Sequence, residues 1–101
     1  MTRLMPDEVR EKLEAGCDCK IVDVRNPYEY ETYHIPGSLP IPLPELAERY
    51  EGELRPEDEI ICVCEHGIRS QQAAQFLQSR GFTNVSDMDG GMAAWPGPVE
   101  P

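Results

Sequence analysis

Short apolar blocks alternate along the chain with polar turns marked by proline and glycine. Residues 6–14 predict a helix, with Pro6, Asp7 and Glu8 in its first turn and Gly16 as its stop. Residues 20–24 read as a short apolar strand carrying one acid, Asp23. Residues 27–33 predict a brief helix, opened by Asn26 as cap and Pro27 at its first position. A further strand candidate covers 38–41, bounded by Pro36-Gly37 and Pro42. Residues 44–50 form another helix candidate, 52–59 an acidic loop, and 60–63 a buried strand by composition. Ala73, Ala74 and Leu77 stand at helical spacing within 71–80, with Gly81 as the stop. Residues 84–86 give a short last strand, and 90–95 a turn into a short helix.

Strands alternating with helices predict a parallel sheet covered on both faces, a three-layer α/β/α sandwich. The expected domain covers 1–96, with 97–101 as a tail of little regular structure. In such folds ligands bind beyond the carboxyl ends of the strands, and Cys64 lies at one of those ends.

Charge narrows the partners. Nine basic residues stand against 19 acidic ones in 101, a formal net charge of −10. Such a surface repels nucleic acid and anionic membranes, so neither is an expected partner. No apolar run approaches the roughly 18 residues of a membrane span. The first residues lack the apolar stretch of a secretory signal, which sets a cytoplasmic location as the expectation. In that setting cysteines stay reduced. Cys17 and Cys19 then read as surface thiols in a turn, and the Cys-x-Cys spacing disfavours a structural zinc site.

The strongest chemistry lies in residues 64–70, Cys-Glu-His-Gly-Ile-Arg-Ser. A strand that runs into a helix through a tight loop aims several backbone N–H groups at one point, where the helix dipole is positive. A cysteine at the start of that loop has its thiolate, the nucleophilic form, stabilised. Gly67 lets the backbone turn inward, and Ser70 is placed to cap the helix.

Three segments together resemble the rhodanese family. Asp23-Val24-Arg25-Asn26-Pro27-Tyr28-Glu29-Tyr30 with His34-Ile35-Pro36-Gly37-Ser38 is similar to its first motif. Residues 64–70 resemble its active-site loop, and Gly90-Gly91-Met92-Ala93-Ala94-Trp95 its closing motif. The resemblance implies a five-stranded parallel sheet. It also implies transfer of sulfane sulfur through a persulfide on Cys64, from a donor such as thiosulfate to cyanide or a thiol, with no metal or organic cofactor. A protein-to-protein sulfur relay or a partner-binding module is the alternative.

Site expectations follow for each loop residue. Glu65, His66, Gly67, Ile68, Arg69 and Ser70 form the binding loop, with Arg69 supplying positive charge toward Cys64 and His66 standing at the pocket mouth. Glu65 places negative charge beside the nucleophile, which opposes binding of dianionic thiosulfate. Arg25 is a candidate to line the site, although Asp23, Arg25 and Glu29 read better as an internal ion-pair network. Cys62, two residues before Cys64, starts on the same strand face and reads as a buried structural thiol. Tyr28, Tyr30, Tyr33 and Trp95 read as core or rim packing. Arginine at Cys-x4-Arg gives a cradle one residue shorter than the Cys-x5-Arg of phosphatases, so no phosphatase activity is expected.

Overall fold

A computed structural model describes residues 2–101. Its strands are β1 (Thr2–Leu4), β2 (Lys20–Asp23), β3 (Leu39–Pro40), β4 (Ile60–Val63) and β5 (Val85–Met88), joined by helices α1 (Pro6–Glu14), α2 (Pro27–Thr32), α3 (Leu46–Glu53) and α4 (Arg69–Ser79). Single 3-10 turns cover Leu43–Glu45 and Met92–Ala94. The five strands form one parallel sheet in the order β1-β5-β4-β2-β3.

The central strand β4 is buried on both faces, and its alternation divides the core in two. Ile60, Cys62 and Cys64 pack with Val22, Val24, Leu46, Ala73, Ala74 and Leu77 beneath α3 and α4. Ile61 and Val63 pack with Val9, Ile21, Met88 and Met92 on the α1 side. Two-sided burial explains why β4 reads as a continuous apolar run.

α1 has the predicted bounds, and the Glu8 side chain accepts the Met5 N–H at 2.8 Å. α2 opens on a reciprocal cap: Asn26 Oδ1 accepts the Glu29 N–H at 2.9 Å, and Glu29 Oε1 accepts the Asn26 N–H at 3.2 Å.

Four features differ from the expectations. β1 lies in the first residues, where three positions are too few to show a period; it exists through pairing of Thr2, Arg3 and Leu4 with Ser86, Asp87 and Met88. That pairing carries β5 two residues past its predicted end. α3 runs through Gly52 into the expected acidic loop, and Arg49 braces it through Glu45 at 3.0 Å and Glu53 at 2.6 Å. The tail 97–101 has little regular structure, as expected, although it is anchored: His34 and Glu100 exchange backbone hydrogen bonds of 2.8 and 2.9 Å, and Trp95 Nε1 donates to the Pro98 carbonyl at 3.0 Å. Lastly, Cys17 and Cys19 are paired as a disulfide and are not separate thiols, because the turn after α1 brings their Cα atoms to 5.3 Å.

Candidate active site

Cys64 follows the last residue of β4, at the carboxyl edge of the sheet. Its Sγ accepts two backbone hydrogen bonds, from Gly67 N–H at 3.1 Å and Ser70 N–H at 3.3 Å. Ser70 sits in the first turn of α4, where N–H groups have no helical acceptor. Gly67 takes φ +92°, and a Cβ there would stand 2.8 Å from Arg3 Nη2. Cys64 is 1% exposed, at the floor of a loop whose His66 and Ile68 are exposed.

The loop is held from behind by the segment after β5. Met92 N–H donates to the Cys64 carbonyl at 2.8 Å and Ala93 N–H to the Glu65 carbonyl at 3.0 Å. Gly91, at φ +63°, lies so close that a Cβ would collide with the Cys64 and Glu65 backbone. With those two carbonyls engaged on the far side, the amides of the loop are left to converge on the sulfur.

The charged residues sort into two groups. Arg25 is fully buried and grips Asp23 through Nε at 3.0 Å and Nη2 at 2.8 Å. Its Nη2 also donates to the Tyr33 carbonyl at 2.6 Å, and its Nη1 to Glu65 Oε1 at 3.1 Å. Burial opposes the Arg25 charge, but Asp23 and Glu65 outweigh it and hold the guanidinium above its ordinary value. Glu65 Oε2 accepts from the Tyr33 hydroxyl at 3.1 Å. Burial and this carboxylate push the Tyr33 hydroxyl up.

Two expectations are corrected here. The Glu65 carboxylate is not a free negative charge beside the sulfur; it is drawn onto Arg25 and Tyr33. Glu29 leaves the Asp23–Arg25 pair and instead binds Arg69 in a two-pronged pair of 2.7 and 3.0 Å. The Arg69 guanidinium is held up first by Glu29 and, to a smaller degree, by Cys64.

The rhodanese-like domain family matches residues 5–97. This chain belongs to that family. It is 42% identical over 78 residues to thiosulfate sulfurtransferase GlpE of Pseudoalteromonas translucida, covering 77% of this chain and 73% of that protein. It is 40% identical over 91 residues to YrkF of Bacillus subtilis, whose name proposes a sulfur-carrier role. That match covers 90% of this chain but about half of the relative, 49%. The rhodanese-like domain of the Anabaena protein Alr3790 superposes with a TM-score of 0.91 at 31% identity, over 99% of this chain and 79% of that one.

The remaining site residues of this rhodanese-like domain fall as follows. Cys62 is fully buried and free, on the same face as Cys64; burial pushes its thiol up, and Asp87 and Cys64 add to the effect. His34 is buried in an isolated bridge to Glu100 and stacks on Tyr30 at 3.8 Å between ring centroids, which fits a structural role. Ser70 does not cap α4, since Ile68 takes the cap position; its hydroxyl donates to Asp87 Oδ2 at 3.3 Å. Tyr33, read as packing, reaches the site through Glu65.

Sequence reasoning missed Arg3 and Asp87. Arg3 Nη2 donates to the Gly67 carbonyl at 2.6 Å and lies 3.1 Å from Asp87 Oδ2. Asp87 gave little local signal, because its neighbours Asn84, Ser86 and Asp89 are polar too. Among the described residues no helix is long and apolar enough to cross a membrane, and no group of three or more His, Cys, Asp or Glu is placed to hold a metal ion.

Proposed function

We propose that Cys64 carries sulfane sulfur as a persulfide, taking it from a donor such as thiosulfate and passing it to cyanide or a thiol. The observation that supports this most is the convergence of the Gly67 and Ser70 amides on Sγ. In the first step the Cys64 thiolate attacks the outer sulfur of thiosulfate. The S–S bond of thiosulfate breaks, sulfite leaves with the electron pair, and Cys64–S–S⁻ forms. In the second step cyanide or a thiolate attacks the terminal sulfur, and thiocyanate or a new persulfide departs from the restored thiolate. Charge and electrons balance in each step, so no redox cofactor enters.

Fixed amides suit both anions. Each hydrogen bond to a charged acceptor contributes about 1.5–3 kcal/mol, with no reorganisation at the moment of reaction. The loop residues 65–70 form the proposed binding site, within a domain spanning 1–96. The Arg69 charge is largely met by Glu29, so the fixed amides carry most of the recognition of the anionic donor. Arg25 reaches the loop only through Glu65, at 3.1 Å.

A second reading, a relay between proteins, is favoured by the rim of the loop. Ile68 is 68% exposed, and Tyr28, beside the Arg69 partner Glu29, is 77% exposed. A small anion has no use for such apolar surface, whereas a protein partner does. The two readings share the Cys64 persulfide and differ in the donor.

Intact mass spectrometry after thiosulfate treatment tests the reading. A gain of one sulfur atom, absent in Cys64→Ser, is expected. No gain from thiosulfate but a gain from a small-molecule persulfide would select the relay. No gain from either donor would overturn both.

A further inference from the structure

Both amides that touch the Cys64 sulfur are moored to one buried carboxylate. Ser70 is moored directly, its hydroxyl donating to Asp87 Oδ2 at 3.3 Å. Gly67 is moored through Arg3: Nη2 lies 3.1 Å from the same Oδ2 and donates to the Gly67 carbonyl at 2.6 Å. We propose that Asp87 is the positioning residue of the site, setting the Gly67 and Ser70 N–H groups on Cys64 Sγ through Arg3 and the Ser70 hydroxyl. This rests on the reading of Cys64 as the reactive group.

The cost of keeping Asp87 argues for a purpose. It is 0% exposed, on β5 directly across from Cys62, in an otherwise apolar face. Its Oδ1 has no hydrogen-bond partner among the described residues. Burying a carboxylate with one oxygen unpartnered is unfavourable unless the other oxygen does something an apolar side chain cannot. Oδ2 does so: it joins β1, β5 and the first turn of α4 at the height of the loop. Arg3 also pairs with Asp89 at 3.3 Å, but that carboxylate is 43% exposed and a far weaker anchor than buried Asp87.

The arrangement makes a specific demand. Loss of Asp87 frees both amides at once, loss of Arg3 frees only Gly67, and loss of the Ser70 hydroxyl frees only Ser70. The effects on Cys64 are therefore not additive.

Alkylation of Cys64 by iodoacetamide near neutral pH reads this without any sulfur donor. In Asp87→Leu, of similar size, the rate is expected to fall about 10- to 100-fold, the loss of hydrogen bonding to an anionic sulfur. Asp87→Asn keeps an acceptor for Arg3 and Ser70 and is expected to stay within about threefold of wild type. Arg3→Met in the Asp87→Leu background should slow the reaction by no more than about twofold further. A merely structural role predicts the opposite sign, since loosening the fold around a sulfur that is 1% exposed speeds its alkylation. An unchanged or faster rate in Asp87→Leu, or full additivity with Arg3→Met, would overturn the proposal.

Circular dichroism first establishes that each variant is folded. Should leucine at 87 prevent folding, Ser70→Ala and Arg3→Met carry the test: slower alkylation in each supports the role, and no change in both removes it. A wild-type protein that alkylates in this pattern but never gains sulfur would sink the proposed function and leave the role of Asp87 standing.

Discussion

Arg69 and Glu29 form a two-pronged ion pair, 2.7 and 3.0 Å, that ties the start of α4 to α2. The hydrogen bonds from Arg69 hold the Glu29 carboxyl below its ordinary value of 4.5. A carboxyl lowered in the folded state contributes stability that is complete above the ordinary value and is lost as pH falls through the lowered one. Glu29→Gln is therefore expected to cost about 0.5–1 kcal/mol at neutral pH, modest because the pair is partly solvated. The gap between variant and wild type should close under acid. Urea unfolding at a series of pH values from neutral downward measures it.

Gly91→Ala is expected to be severe. The added methyl would enter the Cys64 and Glu65 backbone, and the residue would be held at φ +63°. Destabilisation of about 2–4 kcal/mol follows from overpacking with backbone strain. Thermal unfolding reads the loss, and sulfur loading of whatever folds should fall with it, since the carbonyls that orient the loop are displaced.

Removing Arg25 leaves Asp23 buried without its countercharge. Arg25→Met is expected to cost about 3–5 kcal/mol, while the double variant with Asp23→Leu recovers much of that loss. Chemical denaturation of the two variants and wild type gives the comparison.

Glu65 offers a sharper contrast. Its carboxylate bridges Arg25 and Tyr33, so Glu65→Gln is expected to cost about 1 kcal/mol. Glu65→Lys sets a second cation against Arg25 and is expected to cost more, about 2–3 kcal/mol. Because Arg25 already offsets the charge, the KM for thiosulfate in Glu65→Gln should stay within about twofold of wild type. Steady-state kinetics and melting curves on the same samples separate the two effects.

Cys62 provides the last prediction. Burial raises its thiol, with Asp87 and Cys64 adding to the shift, so it stays protonated and inaccessible in the native state. Brief treatment with iodoacetamide should modify Cys64 and spare Cys62. Both should react once the chain is unfolded, as peptide mass mapping would record.

The parallel layers and most element positions were legible in the sequence because they rest on local patterns: the proline-led helix starts, the Asn26 cap and the β-branched run of β4. What escaped was long-range. β1 is three residues long and owes its existence to β5, 84 positions away, which no local period can signal. The Cys64–Ser70 loop was readable because its amide geometry follows from a strand-glycine-helix order. Its supports were not: Arg3, Tyr33 and Asp87 look like a terminal charge, a packed aromatic and a strand acid until the chain folds. Arg69 and Glu65 were readable as charges, but their partners, each 40 residues distant, were not.

The division of labour within the loop leaves room for change. Grip on the sulfur comes from peptide groups at 67 and 70, while the side chains at 66 and 68 face water. Those two positions can be rewritten to suit a different donor or docking protein with the sulfur-holding cradle untouched. A library randomised at 66 and 68 alone would thus explore recognition without sacrificing the chemistry.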